Sequence, residues 1–109
     1  MIQYLILVTI KDSNLFAEYV NGHLPTISKF GGKIVFRSIE NYPVLGHEKW
    51  DVVVIQEWPS ESTFDLWWNS EEYAPWARMR DNAASMSIIK CQNEKATGPC
   101  LNTIQLQEI

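Results

Sequence analysis

Residues Tyr4–Ile10 read Tyr-Leu-Ile-Leu-Val-Thr-Ile, apolar at almost every position. β-Branched residues favour extended backbone, and a strand sends successive side chains to opposite faces. This run offers apolar side chains to both faces. It therefore belongs inside a sheet, as a central strand covered on two sides. It is far too short to cross a membrane. A chain of 109 residues supplies one domain and hardly more.

The rest of the chain suggests what packs around that strand. Asp12 or Ser13 can cap a helix in which Phe16, Val20, Leu24 and Ile27 fall at helical spacing. Pro25 sits inside this stripe and predicts a kink or restart, and Gly31-Gly32 ends the helix. Lys33–Glu40 reads as a second strand, Asn41–Lys49 as a loop and Trp50–Trp58 as a third strand. Ser60 is a cap for a helix carrying Phe64, Trp67 and Trp68. Ser70 can recap a second piece, with Glu71 and Glu72 in its first turn and Tyr73, Trp76 and Arg80 beyond. Met86–Gln92 is a fourth strand. The order strand, helix, strand, strand, helix, strand is the split βαβ pattern of a ferredoxin-like α+β sandwich. Residues 93–109 lie outside it, as a polar linker and a C-terminal tail able to form an extra strand or arm.

Charge excludes several partners. Nine basic against 13 acidic residues give a net charge of −4, with no Lys/Arg cluster, so no nucleic acid is expected. No membrane span and no signal peptide are expected either. Cys91 and Cys100 fit no metal spacing. They read as reduced thiols of a cytoplasmic protein, with a single bridge to the tail as the alternative. No nucleophilic triad, phosphate loop, dinucleotide fingerprint or metal-ligand cluster is present, and neither a metal nor a cofactor is expected.

Several spaced motifs carry a family resemblance. They are Tyr4, Asp12, Tyr19, Pro25, Phe30-Gly31-Gly32, Arg37 and Ile55-Gln56-Glu57-Trp58-Pro59-Ser60. The most specific is Trp67-Trp68-Asn69-Ser70-Glu71-Glu72-Tyr73, followed by Arg80 and Ala83-Ala84. Over residues 2–92 the chain resembles the domain of unknown function 1330, a family of the dimeric α+β barrel superfamily. Glu71 stands where the family usually has proline, and Trp68 where tyrosine is common. The resemblance implies a homodimer whose sheets pair across a two-fold axis. The physics agrees, because helices on one side of a four-stranded sheet leave an apolar face uncovered. The resemblance implies no particular reaction. Haem degradation, known elsewhere in the superfamily, uses an Asn on the first strand, and Tyr4–Ile10 contains none.

Seven residues are candidates for a site. His23 precedes Leu24-Pro25, as a similar His-x-Pro does near ligand pockets in other branches of the superfamily. An imidazole can act as a base near neutral pH. The competing reading is a histidine that merely satisfies carbonyls. Arg37 falls among apolar neighbours and needs a carboxylate or an anionic ligand. Glu57 is a second proton-transfer candidate. An Arg37–Glu57 pair across the hairpin is open, since a one-residue slip in register puts the two on opposite faces, and the competing structural role is an ion pair at the dimer interface. Arg80, singled out by the family motif, could grip a substrate carboxylate by two parallel hydrogen bonds or pin its helix to Glu40, Glu57 or a partner's acid. Trp67, Tyr73 and Trp76 are candidates for stacking on a substrate. Trp67 and Trp68 point about 100° apart on a helix, so only one can face the core. His47 reads as solvated.

The resulting expectation is a homodimeric small-molecule-binding protein. It is open whether the chain is an enzyme. If it is, a cofactor-independent isomerase, cyclase or oxygenase acting on an apolar or aromatic acid fits best. The alternative is a non-catalytic ligand-binding or purely structural dimer.

Overall fold

The computed structural model describes residues 1–92. The proposed tail at 93–109, including Cys100, lies outside the described residues. Four strands, β1 (Ile2–Ile10), β2 (Lys33–Ser38), β3 (Val52–Trp58) and β4 (Ala84–Cys91), form one antiparallel sheet in the order β2-β3-β1-β4. Three helices, α1 (Ser13–Lys29), α2 (Glu61–Trp68) and α3 (Ala74–Ala83), complete a ferredoxin-like α+β sandwich. The second helical position is occupied by α2 and α3 together.

The apolar run is central, as its two-faced pattern requires. Ile2, Tyr4, Ile6 and Val8 are buried against the helices, while Leu5 and Leu7 on the other face are only half-buried. The helix starts follow the caps. The Asp12 carboxylate accepts from the N–H groups of Asn14 and Leu15 at 3.0 and 3.1 Å. Ser60 and Thr63 form a reciprocal capping box at the start of α2.

Three local expectations are corrected. Helix α1 runs through Pro25 without restarting. The proline removes one donor, whose acceptor would be the carbonyl of Asn21, and both residues are exposed to water. Thr26 meanwhile donates its hydroxyl to the His23 carbonyl at 2.5 Å. Ser70 caps a turn, not a helix: its Oγ accepts from Tyr73 N at 3.1 Å, and α3 begins only at Ala74, with a proline in its first turn. Glu71 and Glu72 therefore precede the helix. The third correction is in β2. The pairing with β3 slips between Ile34 and Phe36, so Ile34 faces Gln56 while Phe36 faces Ile55. This bulge at Val35 reverses the alternation. It sets Arg37 on the helix side opposite Val54, whereas Glu57 sits on the outer side opposite Lys33 and Gln3. An Arg37–Glu57 pair across the hairpin is thereby ruled out.

Residues 39–51 connect β2 to β3, and Asp51 at their end donates its N–H to the Val8 carbonyl of β1 at 2.9 Å. Asn41 closes the base of this loop by exchanging two hydrogen bonds with the Trp50 backbone, at 2.7 and 2.9 Å. Val44 and Leu45 at its tip are fully exposed.

Candidate functional site

Under α1 the helices and the sheet do not close completely. A cavity of about 220 Å³ remains. Its floor is the inward row of the sheet, with Val54 and Gln56 from β3 and Met86 and Ile88 from β4. Its roof is α1, through Phe16, Tyr19, Val20 and His23. Trp67 and Tyr73 close one side. Leu24 and Arg37, both exposed, mark the mouth. A mostly apolar cavity with a few polar groups converging on it is the usual form of a small-molecule site.

His23 is buried in mid-helix. Its Nδ1 lies 2.8 Å from the Tyr19 carbonyl. A carbonyl can only accept, so Nδ1 carries the proton and Nε2 keeps a lone pair. Nε2 has no partner among the described residues. The ring stacks on Tyr19 with centroids 4.1 Å apart. Burial pushes the imidazole pKa below its ordinary value, against the opposing pull of hydrogen bonding to the Tyr19 and Val20 carbonyls. His23 is therefore neutral near pH 7 and has the form of a base.

This shift has a consequence for stability. Below its ordinary pKa of about 6.5 the unfolded chain takes up a proton that the folded chain resists. The contribution is complete above that pH and is lost as the pH falls towards the depressed folded value. Wild type should thus lose more urea stability than His23→Gln between pH 7.5 and 5. Equal losses in the two proteins would refute a buried neutral histidine. Glu72, held low by Lys29, titrates below this window.

Tyr19 and Tyr73 share a hydrogen bond of 2.7 Å between their hydroxyls. Arg80 donates to the Tyr73 oxygen at 3.1 Å, and Trp68 lies 4.7 Å from its guanidinium. Arg80 also meets Asp81 at 3.3 Å. It stands behind Tyr73 and does not line the cavity, and neither Glu40 nor Glu57 pairs with it. Trp76 is likewise outside the cavity, with its ring filling the space above Gly22 where α3 meets α1. Trp67 does line it, 4.1 Å from Tyr73 between centroids, with its Nε1 donating to Thr26 Oγ1 at 2.9 Å. Trp68 is the outward neighbour, as their 100° separation requires.

Arg37 has no carboxylate partner among the described residues. Glu57 faces away from the cavity, where it pairs with Lys33 at 3.5 Å and accepts from Gln3 at 3.2 Å. The structure thus brings His23, Arg37, Trp67 and Tyr73 to one cavity and leaves Glu57, Arg80 and Trp76 outside it. No group of His, Cys, Asp or Glu side chains suited to a metal occurs among the described residues.

Two polar cavity residues, Gln56 and Tyr19, were not among the candidates. Gln56 is the one polar residue on the inward row Val52, Val54, Gln56, Trp58, and strand alternation alone could have flagged it. Its carbonyl accepts from Trp58 Nε1 at 3.0 Å, which leaves its amide hydrogens as donors. Tyr19 lies four residues before His23, a spacing that puts both on one helix face.

The described fold recurs in solved structures. A protein of unknown function from Rhodopseudomonas palustris is 25% identical, with a TM-score of 0.76 over 86% of this chain and 82% of that one. SnoaB, a cofactor-independent oxygenase from Streptomyces nogalater, is 10% identical, with a TM-score of 0.60 over 88% and 95% of the two chains. A dimeric protein of unknown function and ferredoxin-like fold from Bacteroides fragilis is 12% identical, with a TM-score of 0.56 over 84% and 95%. No curated protein matches the chain. No helix among the described residues is long and apolar enough to cross a membrane. The family model for the domain of unknown function DUF1330 matches residues 3–93, from the first strand through the fourth, and the chain belongs to that family.

Proposed function

We propose that this protein is a homodimer that binds a small apolar or aromatic acid in the cavity under α1 and acts on it without a cofactor. The observation that carries the reading is a buried histidine whose Nε2 has no partner among the described residues, lining an apolar cavity with an arginine at its mouth that has no carboxylate among those residues. Arg37 would hold the carboxylate where water still reaches it. The apolar walls would take the body of the ligand, and Trp67 would pack against it. His23 would accept a proton. Size narrows the ligand: an apolar cavity of about 150 Å³ accommodates benzene. The observed 220 Å³ suits a single substituted ring or an equivalent branched chain.

Trp67 provides the test. A panel of single-ring aromatic acids is expected to quench tryptophan fluorescence saturably. Arg37→Ala should weaken that binding by about tenfold, the equivalent of one charge-assisted hydrogen bond. No response to any member of the panel would reject the reading. Binding that Arg37→Ala leaves unchanged would remove the arginine from it.

A further inference from the structure

Counting hydrogen-bond donors around the two buried tyrosines leaves one in excess. Arg80 has only donors, so the Tyr73 oxygen accepts from it. The contact between the two hydroxyls uses one O–H, whichever ring supplies it. The second O–H has no acceptor among the described residues. Both rings are buried and both line the cavity. A buried donor left unmet costs more than a made hydrogen bond returns, so the cavity's occupant is its natural acceptor.

We propose that the Tyr19–Tyr73 hydroxyl pair, braced by Arg80, donates to an oxygen that becomes negatively charged during the reaction, and that the substrate is an enolisable, unsaturated carbonyl compound of single-ring size. This rests on reading the cavity as a binding site. The two centres lie close together: the His23 ring is 4.1 Å from Tyr19 and 6.4 Å from Tyr73 between centroids. His23 Nε2 removes a proton from the carbon next to the carbonyl. The C–H electron pair becomes a carbon–carbon double bond, and the carbonyl π pair moves onto oxygen, where the phenol donates. The proton then returns from His23 to the far carbon of the conjugated dienolate, and the carbonyl re-forms. The net change is a shifted double bond, and no oxidant, reductant or co-reactant is consumed. Donors fixed in advance where charge develops are the strongest aid such a step can receive. Burial, reinforced by Tyr73, pushes the Tyr19 pKa far above its ordinary value, so the hydroxyl keeps its proton.

The probe is 4-nitrophenol, a single ring whose anion mimics the enolate and absorbs visibly. Binding is followed by Trp67 quenching, and ionisation by the phenolate band, at a pH where the free phenol is mostly neutral. The expected result is a preference for the phenolate of about tenfold or more, the equivalent of one hydrogen bond to a charged oxygen. Arg37→Ala should retain that preference, and Tyr19→Phe/Tyr73→Phe, with its fold checked by circular dichroism, should lose it. Wild type alone decides if the double variant fails to fold, because equal binding of neutral phenol and phenolate overturns the proposal and leaves the cavity reading standing. A preference lost in Arg37→Ala also overturns it, by assigning the anion to the mouth. Failure of both 4-nitrophenol and the aromatic acids to bind removes the cavity reading and this proposal together.

Discussion

Gly32→Val should lower the unfolding free energy by about 3 kcal/mol, at the upper end for overpacking a well-filled core. In a domain of this size that is a fall of about 10–20 °C in melting temperature, measurable by circular dichroism. The cause is proximity. A Cβ at position 32 would lie 2.6 Å from Trp58 Cε2 and Cζ2. Trp58 has no room to yield. It is 0% exposed, donates to Gln56 and meets Phe64 edge-on at 5.6 Å and Trp67 at 5.3 Å. The backbone at Gly32 has no positive φ, so the loss would measure packing and not strain. A shift of Trp58 would also release the Gln56 carbonyl on the cavity floor. The same variant is therefore expected to bind cavity ligands more weakly even where it remains folded. A melting temperature within two or three degrees of wild type, on the order of 0.5 kcal/mol, would show that Trp58 is less firmly held than its contacts indicate.

Much of this architecture can be read from local chemistry. The run Tyr4–Ile10 announces a central strand by its own pattern, and Asp12 and Ser60 announce helix starts by the bonds they make. These signals involve residues a few positions apart. The site depends on longer-range relations. Arg37 and Glu57 look like partners because alternation on each strand places them among apolar residues. A single extra residue at Val35 then turns Arg37 into the cavity and leaves Glu57 on the far face. Nothing within either strand encodes that slip. Trp67 and Trp76 were equal candidates on composition. Only the meeting of α3 with α1 assigns Trp76 to Gly22 and leaves Trp67 beside the cavity. Pro25 shows a different limit: the helix does not restart there, because the one carbonyl it leaves without a donor belongs to Asn21, a residue exposed to water. Tyr19 and Gln56 were visible as buried-position polar residues, but their donors gain meaning only beside Arg80 and Trp58.

A charge at the centre of the outer sheet face should dissociate the proposed dimer. The strand registers align Phe36, Ile55, Leu5 and Ile89 in one apolar row across all four strands. Beside it runs a polar row of Lys33, Glu57, Gln3 and Cys91, where Lys33 and Gln3 both bind Glu57. Phe36 and Ile89 are 49% and 45% exposed in the single chain, at opposite edges of the row. An apolar centre with a polar margin is the usual composition of a protein interface. A two-fold axis places Leu5→Asp in that interface twice. Each copy forfeits about 2 kcal/mol of leucine burial and adds at least about 1 kcal/mol for a desolvated carboxylate. The total of about 6 kcal/mol weakens association by roughly four orders of magnitude. Light scattering at micromolar concentration should then report a dimer for wild type and a monomer for Leu5→Asp. Lys33→Ala, at the margin, should remain dimeric. A dimeric Leu5→Asp would show that the chains pair elsewhere, or that wild type pairs through another surface. The monomeric variant also separates assembly from binding. The described residues that line the cavity lie on the opposite side of the sheet from that row. The monomer should therefore still bind aromatic acids, and loss of that binding would mean that the second subunit holds the cavity in shape through the sheet.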